Sequence, residues 1–184
     1  MIALRMLGRL SLTGADGREA PTLLGQPRRF ALLAYLAAAT PLGFHRRDSL
    51  LALFWPELDQ EHARTALRQA LRVLRAALGP EAVVSRGDEE VALDFGQVWS
   101  DVAAFERAIA ASQWHDAMDL HRAPLLDGFF IADAPDFERW LESARGRRGH
   151  WPSSASRGAI SRPRRTGLGG RSISRRTTKR WCGD

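Results

Sequence analysis

The chain has 184 residues, room for one ordinary domain or two small ones, and 45% of them are apolar, enough to fill a buried core. A single cysteine, Cys182, excludes a disulfide framework and a cysteine-rich metal site; no charged leader precedes a long apolar run and no segment approaches the length of a membrane span, so a cytoplasmic protein is expected. The net charge of +6 is a poor pointer to a nucleic-acid partner, because residues 1–100 hold 12 Arg against 11 acids, residues 101–144 hold 3 against 9, and residues 145–184 hold 12 basic residues against one acid.

Any case for nucleic-acid binding therefore rests on local arrangement in the first hundred residues. The opening alternates, with Ile2, Leu4 and Met6 against Ala3, Arg5 and Leu7, then Leu10 and Leu12 around Ser11, which predicts short antiparallel strands. A third strand is expected over 20–24, after the turn signal Asp16-Gly17. From Pro27 the period becomes helical, with Phe30, Leu33, Ala34 and Ala37 on one face, and Pro41 and Gly43 end that helix. A short helix follows over Arg47 to Phe54, closed by Trp55-Pro56.

The next helix has the clearest boundaries. Asp59 is a good N-cap, Gln60 and Glu61 suit the positive end of the helix dipole, and Gly79-Pro80 stops the run, so it spans Gln60 to Leu78. Leu67, Ala70, Leu71, Leu74, Ala77 and Leu78 recur at spacings of three and four and predict one buried stripe. The opposite side carries Arg64, Thr65, Arg68, Gln69, Arg72 and Arg75. These are the residue types that read the major groove: Arg bonds guanine, Gln pairs adenine, and a Thr methyl touches thymine. Alone, such a face is more often a solvated Arg-rich helix surface than a base-reading one, since Arg is also a good helix former. Its context decides: a helix and a tight turn precede it, and the β-prone stretches Ala82–Ser85 and Val91–Leu93 follow it as a hairpin with Arg86 near the tip, reading as a wing over 82–94.

The stretches LGRLSL, PRRFALLAYLA, HRRDSLLALFWPELDQEHARTALRQALRVLRAALG and VVSRGDEEVALD, in this order and spacing, resemble the regulators that join an OmpR-type winged helix to a bacterial transcriptional activator domain, as in the Streptomyces antibiotic regulatory proteins. The resemblance implies an α+β winged helix-turn-helix over 1–100, with 60–78 as recognition helix and the Arg86 hairpin reaching toward the minor groove. It implies phosphate contacts from Arg28, Arg46 and Arg47. It also implies double-stranded promoter DNA as partner, RNA polymerase as a second one, a possible homodimer on DNA, and activation as the tendency.

Residues 101–148 read as helices, with Phe105, Ala108 and Ile109 on one, Ala117, Leu120 and His121 on the next, and Phe137, Trp140 and Leu141 on a third. Their period suggests an all-α, tetratricopeptide-like array, and the run AMDLHRAPLLDGFFIADAPDFERWLESARG resembles the start of the family's activator domain, which the resemblance implies would continue for several more helices and is here cut short. Over 149–184 Arg, Ser and Gly dominate, and the stretch is expected to be a disordered basic tail. A one-base frame shift explains its composition: each Ser codon of the TCN type would then read as Val, Leu, Ile or Phe, and each CGN Arg codon as Ala, Pro, Ser or Thr, the small-and-apolar mixture of a helical repeat.

No phosphate loop, paired carboxylate, nucleophile motif or metal spacing appears, and His45, His62, His115, His121 and His150 lie apart, so neither catalysis nor a cofactor is expected. The competing reading is a helical protein–protein interaction module with only nonspecific nucleic-acid affinity, centred on the acidic 101–144 segment.

Overall fold

The computed structural model describes residues 1–19, 23 and 25–149. The tail over 150–184, and with it the frame-shift reading, lies outside the described residues, as do all but Leu23 of the strand expected over 20–24. Leu23 itself is buried and accepts a bond from the Gln26 amide at 3.0 Å, a helical turn where a strand was expected.

The sheet of the N-terminus forms as the alternation predicts. β1 (Ile2–Arg5) pairs antiparallel with β2 (Ser11–Thr13) in the register Leu4 to Leu12, and both of those leucines are fully buried. α1 (Pro27–Ala38) opens with proline in its first turn. Its burial is wider than one face: Phe30 to Ala34 and Leu36 to Ala38 are all buried, so it is the central helix and not an amphipathic surface one.

After α1 come β3 (His45–Arg46), α2 (Arg47–Phe54) and α3 (Gln60–Leu78). Asp59 caps α3 by accepting from the Glu61 and His62 amides at 3.1 and 3.0 Å, satisfying donors that the helix cannot. The His62 amide bond and the His62 ring hold the Asp59 carboxyl below its ordinary range. Gly79 ends α3 at φ 98, a conformation that favours glycine, and its amide bonds Arg75 O at 2.9 Å. A 3-10 turn (Pro80–Ala82) leads into the hairpin of β4 (Val83–Arg86) and β5 (Glu90–Leu93), which joins β3 in a sheet of order β3-β5-β4.

The sequence did not announce β6 (Val98–Ser100). It runs parallel to β1 and completes a sheet of order β2-β1-β6, so that 95 residues of chain separate partners in one ladder. β6 feeds directly into α4 (Asp101–Ala110), whose N-cap Ser100 accepts from the Ala103 amide, and α5 (Trp114–Leu120) packs back on α4 as a helical hairpin. α6 (Pro135–Gly149) leaves this pair and packs against α2. α6 thus departs from the stacked array that the sequence suggests. The reason is aromatic: Trp140 of α6 meets Tyr35 of α1 and Phe137 meets Phe54 of α2, with ring centroids 4.7 and 5.3 Å apart.

One contiguous set of buried side chains runs from Ile2 to Ala144. Two buried charged groups lock its margins. Asp101, 4% exposed, accepts from the Met6 and Leu7 amides at 2.8 and 2.9 Å, tying α4 to the end of β1. Arg148, also 4% exposed, donates to Ala38 O at 2.7 Å and pairs with Glu106 at 2.9 Å, joining α6 to the carbonyl end of α1 and to α4.

Candidate nucleic-acid interface

α3 buries Ala63, Leu67, Ala70, Leu71, Leu74 and Leu78. This is the predicted stripe with one correction: Ala77 is exposed and Ala63 is buried in its place, because Ala77 sits one step around the helix beyond Ala70, at the margin of the stripe, while Ala63 falls between Ala70 and Leu74. Arg64, Thr65, Arg68, Gln69 and Arg72 are all exposed on the other side. Arg68 donates to Thr65 Oγ1 at 2.9 Å, so two of these side chains form a linked pair along the outer surface.

Arg75 differs from the other five. It is half-buried, its Nε donates to Val83 O at 2.9 Å and its Nη2 to Ser85 Oγ at 2.9 Å. The last turn of α3 lies beside β4, so the side chain grips the hairpin instead of standing off the surface, and the expectation that it lines up with the base-reading face is corrected accordingly. Arg47, the first residue of α2, reaches the same hydroxyl at 3.1 Å.

The remaining predicted arginines separate. Arg46 is exposed on β3, opposite Glu90 of β5. Arg28 instead pairs with Glu57 in the turn between α2 and α3 and approaches Ala132 O at 3.4 Å. Burial is the largest single influence on the Glu57 carboxyl and raises it, but its own backbone amide and Arg28 together outweigh this and hold it below the ordinary range. Arg28 therefore braces the turn that sets the angle of α3. Arg86, at the hairpin tip, pairs with Glu90 and stacks its guanidinium 4.3 Å from the Phe44 ring centroid.

A surface groove of about 870 Å³ lies between α2, α3 and the hairpin tip. Arg46, Arg47, Arg64 and Arg68 line it together with Asp48, Glu61, Asp88 and Glu89. Arg64 and Asp48 approach to 4.0 Å across it. Arginines and carboxylates are equal in number along the groove, and Arg72, outside it, adds positive charge on the outer side of α3. Sequence reasoning overlooked the carboxylates Asp88 and Glu89 as neighbours of the helix face; their place in a turn between two strands of a hairpin held the signal. Ser85 was overlooked as well, since a strand serine carries no pattern of its own.

Among the described residues no group of three or more His, Cys, Asp or Glu could hold a metal ion, and no helix is long and apolar enough to cross a membrane.

The elements and the site together define a mixed α/β unit in which a helix–turn–helix is followed by a strand hairpin. Its fold is similar to that of Mycobacterium tuberculosis EmbR, seen in complex with a low-affinity phosphopeptide, with a TM-score of 0.50 and 21% sequence identity over 80% of this chain. The chain spans 42% of that protein's length. No family model and no curated relative match the sequence.

Proposed function

We propose that the chain is a sequence-specific DNA-binding transcriptional regulator, a winged helix-turn-helix in which α3 enters the major groove of promoter DNA. The observation that carries this reading is the exposed row Arg64, Thr65, Arg68, Gln69 and Arg72, on the second helix of a helix–turn–helix and opposite its buried stripe. An α-helix fits the major groove, and these side chains offer the donors that distinguish guanine and adenine from their complements. The fold shared with EmbR supports the architecture. Arg46 is suited to a phosphate contact at the flank, and Arg28 acts through the turn. Activation, contact with RNA polymerase and pairing of two copies on DNA belong to the same proposal, with the acidic charge of residues 101–144 suited to a protein partner and not to DNA.

The test is selection of duplexes from sheared genomic DNA by the full chain, followed by titration of a selected site. Arg68→Ala or Arg72→Ala is expected to weaken binding to that site by about 1–3 kcal/mol and to relax discrimination at one base pair. Binding unchanged in both variants refutes the placement of α3. Selection of no sequence over competitor supports the interaction-module reading instead.

The hairpin is expected to act differently. Arg86→Ala lowers affinity alike for all sequences, because a guanidinium at a wing addresses phosphates. Its pairing with Glu90 keeps that loss smaller than the losses at Arg68 and Arg72; measured affinities of the variants for selected and scrambled duplexes check both points, and a loss confined to the selected site contradicts the assignment.

A further inference from the structure

We propose that Arg47, Arg75 and Ser85 form a phosphate-binding site at the root of the hairpin, occupied by a backbone phosphodiester of the DNA lying along α3. This rests on the DNA-binding reading and adds a specific anchor to it.

The three residues come from three elements: the first residue of α2, the last turn of α3, and the edge strand β4. Arg75 Nη2 and Arg47 Nη2 donate to the same oxygen, Ser85 Oγ, at 2.9 and 3.1 Å. A hydroxyl has two acceptor sites and one proton. With both acceptor sites taken by guanidinium donors, the proton is left to point outward, as a third donor.

Neither arginine is paired with a carboxylate among the described residues, in contrast to Arg28, Arg64, Arg86 and Arg148. Arg47 Nε is moreover buried with no acceptor. Two guanidiniums that share one neutral oxygen repel each other, and an unsatisfied buried donor adds a further cost. An arriving anion relieves the repulsion, and the buried Nε, closed to solvent, keeps the Arg47 side chain from turning its charge elsewhere at no cost.

The donor set also selects the anion. Two guanidinium forks and a hydroxyl match the tetrahedral oxygens of a phosphate, and Arg75 is held in place for it through its Nε bond to Val83 O at 2.9 Å. Ser85 is exposed, so the site opens onto the surface and not into a closed cavity. That favours a phosphate presented along a duplex over a small ion enclosed by protein.

Ser85→Glu tests the proposal by supplying an anion from the chain itself. In the full-length protein the carboxylate should raise the thermal unfolding midpoint while it weakens binding to a fluorescent duplex. The slope of log affinity against log salt should fall by about 0.9, the value for one phosphate contact. The double variant Arg47→Gln, Arg75→Gln should lose the same slope without the rise in midpoint. Adding Ser85→Glu to it should bring no rise in midpoint, because the guanidiniums that would meet the carboxylate are gone, and Ser85→Gln should keep the wild-type slope.

If Ser85→Glu and Ser85→Gln share one slope while the wild type binds DNA, the phosphate site is overturned and the DNA-binding reading stands. If the wild type binds no duplex, both fall. If inorganic phosphate at constant ionic strength raises the wild-type midpoint but the variants leave the DNA slope unchanged, the occupant is free phosphate and the DNA assignment is overturned. A lowered midpoint in Ser85→Glu contradicts the anion site itself.

Discussion

Replacing Phe137 with alanine is expected to lower the unfolding free energy by about 3–5 kcal/mol. The side chain is fully buried, and its ring lies 5.3 Å from that of Phe54, 5.4 Å from Trp140 and 6.4 Å from Phe129. Truncation removes a large apolar area from the core and leaves a cavity that the rigid rings around it fill only in part. It also removes aromatic pair contacts that contribute beyond area. Denaturant unfolding of the full chain checks this as a fall in midpoint at constant slope. A loss under about 1 kcal/mol would mean that α6 is not docked on α2 in solution, since that value is typical of surface positions. The effect reaches α3, because Phe54 belongs to α2 and α2 seats α3.

Asp101→Ala is expected to cost about 2–6 kcal/mol, from two buried backbone donors at about 1–3 kcal/mol each. The Met6 and Leu7 amides lie where β1 ends, and the carboxylate is the acceptor for both. Asp101→Asn keeps one oxygen for them and should cost less. The two variants also differ from the wild type in pH dependence. Burial raises the Asp101 carboxyl above its ordinary 3.8, against the opposing pull of the Leu7 and Met6 amides. The folded protein therefore binds this proton more tightly than the unfolded chain does. Its contribution is fully present below 3.8 and is lost as pH rises through the folded value. Asp101→Asn should remove that component. A wild-type stability that shows no such difference from Asp101→Asn across this range would place the carboxylate in a solvated setting.

The outer face of α3 was legible because helical periodicity ties sequence spacing to direction: once Leu67, Leu71 and Leu74 point inward, Arg68 and Arg72 point out. Arg75 escaped that logic. It lies near the edge of the outer face by angle, but the hairpin crosses its end of the helix, and no spacing in the chain states where a following strand returns. The same holds for Arg28, whose partner Glu57 stands 29 residues away, and for Arg86, whose partner Glu90 opposes it only because the hairpin register places the two in one cross-strand pair. The sequence reading treated each of these as a free cation, and the structure gives each a partner.

Long-range pairing explains the other differences. β6 is three residues long and reads as nothing by itself; it is a strand because β1 offers it an open edge. Arg148 sits in a run of arginines that composition assigns to solvent, yet the end of α1 leaves a carbonyl at Ala38 that it satisfies, and Glu106 supplies the charge.

The helix-turn-helix signal on which the functional reading depends was determined by the sequence itself: the bounds of α2 and α3, the Asp59 cap, the glycine stop and the hairpin after it all follow from local chemistry, where a residue's neighbours in space are its neighbours in the chain. Only the tertiary structure decided which arginines are free. That depends on the charges brought alongside by distant elements, and it leaves Arg68 and Arg72 open on the helix, pairs Arg28, Arg86 and Arg148 with acids, and sets Arg47 and Arg75 together on Ser85 with no acid between them.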